Sequence, residues 1–67
     1  MKDAEIIAVA LKDNHKKETL EEAVGRAVRR NGGKYEDYLR IMADIRELAY
    51  SKEITAEEAA KELSGQP

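Results

Sequence analysis

The residues with the most chemical promise lie together in "GRAVRRNGGKYEDY", residues 25–38. Arg26, Arg29, Arg30 and Lys34 place cations around a pair of glycines. Cations beside the N–H groups of a helix start are what a phosphate needs. Lys12, Lys16 and Lys17, just upstream, extend the set into one basic surface over residues 16–34 and its edge. Catalysis has less to work with. His15 is the only histidine and stands in the polar run "KDNHKKE", where a solvated imidazole is expected. Ser51 and Ser64 have no neighbouring base to activate them. "GGKY" lacks both the earlier glycine and the following hydroxyl of a nucleotide-hydrolysing loop. The run from Asp13 fails as a calcium loop, because Lys17 stands where an oxygen ligand is needed. No Glu-x-x-His pair offers a metal site, and there is no cysteine to supply a thiolate. The expectation is a protein that is not an enzyme and uses no cofactor or metal.

The arginines and glycines also have plain structural duties. "NGG" follows directly on an apolar helical stretch, and Asn and Gly end helices in the left-handed conformation. Arg29 and Arg30 fall in the last turn of that helix, where cations suit the helix dipole. Arg26 has Glu22 four residues before it as a ready partner. Helix termination explains more of the stretch than anion binding does. We expect Gly32 or Gly33 to take positive φ.

The elements that position these residues are helices. The chain has 67 residues, is rich in Ala, Glu, Lys, Leu and Arg, and holds one proline, at its end. That composition favours helix nearly throughout. "EITAEEAAKEL" opens with Thr55 as a cap and Glu58 three residues on, a capping box, with Ile54 placed to staple onto Ala59. "TLEEAVGRAVRRN" repeats the device with Thr19 and Glu22. In "YEDYLRIMADIRELAY", Tyr38, Ile41, Met42, Ile45, Leu48 and Ala49 recur at spacings of three and four, the stripe of a helix facing a core. Glu36 and Arg40 suit an ion pair on its outer side. The reading is an all-α, single domain of four helices near 4–13, 19–31, 35–50 and 55–63.

The first segment, "DAEIIAVALKDN", admits a second reading, since β-branched residues in a short apolar run also suit a strand. A strand there has no partner in the chain and would pair with a second molecule. That arrangement resembles the ribbon–helix–helix repressors, dimers whose paired N-terminal strands lie in the DNA major groove ahead of two helices per chain. The likeness covers residues 5–50: "EIIAVALKD", the helix 19–31, then "GGKYEDY". It implies phosphate contacts from Gly33, Lys34 and Tyr35. The sequence departs from the pattern on the strand itself, where Lys12 alone could hydrogen-bond a base edge.

Size and charge bound the function. A core this small rarely supplies more than about 3–5 kcal/mol, which favours a second copy or a partner covering an apolar face. The net charge is −2, but residues 1–34 are basic and residues 35–67 acidic. Such halves can neutralise each other within a fold or across a dimer, or the basic half can meet an anionic partner. The longest apolar run, "IIAVAL", is far too short to span a membrane, and the lack of cysteine fits a reducing cytoplasm. The favoured function is a protein-protein interaction or regulatory module, acting as a homodimer or docking on another protein. Its candidate interface is Ile6, Ile7, Val9 and Leu11, with Tyr35 and Tyr50 as aromatic anchors. The alternative is a small DNA- or RNA-binding regulator that uses Lys12, Lys16, Lys17, Arg26, Arg29, Arg30 and Lys34.

Overall fold

In the computed structural model, which describes residues 3–12 and 18–65, the capping residues mark the helices as expected. The elements are α1 (Asp3–Lys12), α2 (Leu20–Arg30), α3 (Tyr35–Lys52) and α4 (Ala56–Leu63). Each helix packs on two neighbours, in the cyclic order α1–α2–α3–α4–α1. The core at the centre of this ring includes Ile6, Val24, Ile41 and Ile45, each no more than 1% exposed. Ala23, Ala27, Ala59 and Ala60 are buried too, and their small side chains allow close helix approach.

Thr55 and Glu58 form a complete capping box. The Thr55 hydroxyl accepts from the Glu58 N–H at 3.1 Å, and the Thr55 N–H donates to the Glu58 carboxylate at 3.1 Å. At α2 the device is half made. Thr19 Oγ1 accepts from the Glu22 N–H at 3.2 Å, and the Glu22 carboxylate takes the Thr19 hydroxyl in place of its backbone N–H. Helix α3 starts differently from either. Lys34 is its N-cap, and its N–H donates to Asp37 Oδ2 at 2.8 Å. A lysine ammonium has no lone pair to return the favour.

The segment read alternatively as a pairing strand is helix, and no strand occurs among the described residues. Ile6, Ile7 and Ala10 are buried together at helical spacing. Alternation would have turned Ile7 away from Ile6 and Ala10. Asp3 and Glu5 in the first turn and Lys12 in the last suit the helix dipole. The ribbon–helix–helix layout is therefore set aside, and with it the base contact from Lys12.

The α2–α3 corner is built as its residues dictate. Gly32 has φ 72°, the Gly33 N–H donates to the Val28 carbonyl at 2.9 Å, and the Gly32 N–H donates to that of Arg29 at 3.1 Å. This is a Schellman ending, and Asn31 adds a side-chain bond to the Ala27 carbonyl at 2.8 Å. The α3–α4 corner turns on Glu53, at φ 55°.

Candidate interaction surfaces

Helix α3 carries apolar side chains on two faces. The inner face holds Ile41, Met42 and Ile45, all buried. The outer face is set by the turn of about 100° per residue. On that geometry Tyr35, Leu39, Ala43, Arg46 and Tyr50 share one arc of about 80°. Tyr35 is 71% exposed, Leu39 48% and Tyr50 89%, and these are the exposed large hydrophobic residues of the described chain. A stripe of two tyrosines and a leucine along one helix is the layout of a helix contact, with Tyr able to anchor at little entropic cost.

The expected interface is thus divided. Tyr35 and Tyr50 stand in the open as anticipated. Ile6 and Ile7, at 1% and 2% exposure, are spent on the chain's own core and offer nothing to another molecule. Val9 and Leu11 are partly buried against that core. The apolar surplus assigned to α1 lies on α3 instead, and Leu39 is the residue that sequence reasoning missed. Its signal is present in the sequence: Leu39 lies four residues after Tyr35, on the same side of the helix.

Beside the stripe, α2 and α3 enclose an open groove of about 600 Å³. Gly25 forms part of its wall. A Cβ built there would meet the Tyr38 ring at 3.8 Å, an ordinary contact, so Gly25 faces an aromatic ring rather than another backbone. Tyr38 stacks on Tyr35 with centroids 5.7 Å apart and planes 23° from parallel. Arg29 and Lys34 line the same groove, as do Glu18, Glu21 and Glu22.

The basic residues are only partly gathered. Arg29, Arg30 and Lys34 are exposed around the Gly32 corner. Arg26 is half-buried and pairs with Glu18 rather than Glu22. Lys12 is exposed at the end of α1, and His15, Lys16 and Lys17 lie outside the described residues. Acidic side chains mark the other end of α3, where Glu47 and Glu53 are exposed and Lys52 Nζ contacts Glu62 at 2.5 Å.

A second charged cluster ties α1 to α3. Arg40 reaches Asp37 on its own helix at 2.9 Å and Asp3 on α1 at 2.8 Å, in place of Glu36. The Arg40 hydrogen bonds hold the Asp3 carboxyl below its usual range. Asp37 is lowered first by the Lys34 backbone N–H and then by Arg40, whose own pKa rises in return. Glu58 is lowered by the Thr55 N–H it caps. All of these are helix-end and surface interactions. Among the described residues no group of three or more His, Cys, Asp or Glu could hold a metal ion, and no helix is long and apolar enough to cross a membrane.

Comparison with protein families, with curated proteins and with solved structures found no match to this chain.

Proposed function

We propose that this chain is a non-enzymatic protein-protein interaction module of regulatory type, and that α3 is its contact helix. One observation carries the reading: Tyr35, Leu39 and Tyr50 are exposed along a single face of α3, beside the face that packs in the core. Each large apolar side chain withdrawn from water contributes about 1.5–3 kcal/mol. A fold with a core this small gains from every such contact. The absence of cysteine supports a reducing, cytoplasmic setting.

The test places a photoreactive residue at Ala43, in the middle of the stripe. Cross-linking in the native host should give discrete protein adducts, to a copy of the chain or to another protein. Leu39→Glu should remove them without loss of helicity. Irradiation that yields no protein adduct would end this reading.

The alternative is a nucleic-acid-binding regulator. Arg29, Arg30 and Lys34, exposed together at the Gly32 corner, support it. Glu18, Glu21 and Glu22 along the adjoining groove weigh against it, since a phosphate backbone would be repelled there. Binding of labelled DNA or RNA at low salt, lost on raising the salt and reduced by Arg29→Gln with Lys34→Gln, would favour it over the α3 contact.

A further inference from the structure

We propose that the groove between α2 and α3 is a peptide-binding site. Its occupant is an extended segment of another protein that carries a basic, an apolar and an acidic residue at alternate positions. The inference rests on the reading of the chain as an interaction module, and uses a surface that meets the α3 stripe only at Tyr35. The groove, at about 600 Å³, has the volume of a small-ligand site. Its charges are ordered rather than scattered. Along the wall that α2 forms, Glu21 and Glu22 come first, Gly25 stands in the middle and Arg29 comes last. These positions are three or four residues apart, so they share one side of the helix. Lys34, at the corner leading into α3, adds a second cation beyond Arg29. Glu18 and Arg26 also line the groove but pair with each other. The groove is therefore acidic at one end and basic at the other, and it fits a ligand that bears both charges in the complementary order.

Spacing identifies the kind of molecule. Glu21 and Arg29 are eight residues apart, about 12 Å along the helix. The two charges of a free amino acid lie far closer together than that. An extended peptide rises about 3.3 Å per residue and turns alternate side chains to the same side. Its residues i, i+2 and i+4 thus span about 13 Å on a single face, which matches the groove.

The middle residue of the segment comes over Gly25, where α2 has no side chain, and against the Tyr38 ring, itself stacked on Tyr35. An apolar side chain suits that ledge. In the free chain Arg29 leans back over it, with Nη1 3.9 Å from the place of a Gly25 Cβ. Arg29 is exposed, and no ion pair among the described residues holds it. On binding it swings outward to meet the ligand's carboxylate beside Lys34.

The probe is the blocked peptide Lys-Ala-Trp-Ala-Glu. The chain has no tryptophan, so the peptide's own indole emission reads binding. Saturable binding is expected below about 1 mM. Lys-Ala-Trp-Ala-Lys and Glu-Ala-Trp-Ala-Glu should each bind about tenfold or more weakly, as should Lys-Trp-Glu, whose charges stand too close. Arg29→Glu with Lys34→Glu makes both ends of the groove acidic, and should turn the preference over to Lys-Ala-Trp-Ala-Lys. Gly25→Leu should remove binding by filling the middle of the groove, while the helix propensity of leucine supports α2. Leu39→Glu, outside the groove, should change none of these affinities. Circular dichroism of each variant separates lost binding from lost folding. Failure of Lys-Ala-Trp-Ala-Glu to saturate by about 1 mM overturns the proposal, and leaves the α3 contact standing if position 43 still cross-links. Equal binding of all the peptides also overturns it, because the indole alone is then held. So does tighter binding of Glu-Ala-Trp-Ala-Glu that is lost on raising the salt, which would mark an anion site open to nucleic acid.

Discussion

The Arg40 guanidinium grips the Asp3 carboxylate with two bonds, Nη2 to Oδ1 at 2.8 Å and Nε to Oδ2 at 3.1 Å, across 37 residues of chain. It joins the start of α1 to α3, helices that lie diagonally in the bundle and pack mainly on α2 and α4. The fork geometry of Arg is what allows the paired contact.

Acid should loosen this clasp. Asp3, Asp37 and Glu58 all titrate below their ordinary values of 3.8, 3.8 and 4.5 in the fold. A carboxyl lowered by folding stabilises the native state fully above its unfolded value. That contribution is lost as the pH falls through the lowered, folded value. The melting temperature should therefore hold level from about pH 7 to about pH 5 and decline below about pH 4.5. Asp3→Asn should lower the neutral-pH melting temperature slightly, since the pair is near the surface, and should make the acid decline shallower. Thermal melts followed by circular dichroism check both. An unchanged acid slope in Asp3→Asn would mean the clasp contributes nothing.

Gly25 gives a prediction of the opposite sign. It lies inside α2, where glycine costs about 0.5–1 kcal/mol relative to alanine. The added Cβ would make only ordinary contacts, at 3.8 Å from the Tyr38 ring and 3.9 Å from Arg29. Gly25→Ala should therefore stabilise the fold by about that amount, raising the denaturation midpoint. A loss of stability would show that the groove wall cannot give way to a methyl group.

Helices α2, α3 and α4 were legible because each signal was local, whereas the apolar run of α1 suited helix and strand alike. Thr19, Thr55 and the Asn31-Gly32 pair act within one turn of chain, and the Tyr38 to Ala49 stripe repeats at a period no strand can use. The α3–α4 corner was less legible in its conformation, because Glu53 takes the left-handed position that Gly or Asn usually marks. The interface was hardest. Periodicity shows that a helix has an apolar face but not which of two such faces meets the core. On α3 the outer face was read at its two ends, Tyr35 and Tyr50, without Leu39 between them, and on α1 the inner face was taken for an outer one. Packing decides between them, and packing depends on residues distant in sequence, such as Val24 and Ile41, both fully buried in the same core. Ion pairs failed for the same reason. Arg40 found Asp3, and Arg26 found Glu18, in place of the i−4 glutamates.

Gly32 should resist substitution where Gly25 does not. Its φ of 72° suits glycine, and nothing stands within 4 Å of an added Cβ, so the cost is one of backbone strain alone. Gly32→Val should destabilise by about 1 kcal/mol or more, because a β-branched side chain fits the left-handed region badly. Gly32→Asn should cost less, as Asn tolerates that region. Equal losses in urea titrations of the two variants would point to a cause other than strain.

The last prediction sets α1 against α3. Ile6 is 1% exposed in the core, and Leu39 is 48% exposed on the outer stripe. A lysine at position 6 would bury an unpaired charge, costing several kcal/mol. A core this small rarely holds more than about 3–5 kcal/mol in total. Ile6→Lys should therefore unfold the chain, with loss of the helical circular dichroism signal. A glutamate at position 39 stays in water and should alter stability by about 0.5 kcal/mol or less. Leu39→Glu should keep the fold and lose the association, because a charge then replaces the one aliphatic anchor between the two tyrosines. The two variants thus separate folding from binding, one on each helix. The converse result, Ile6→Lys folded but unable to associate, would return the contact to α1.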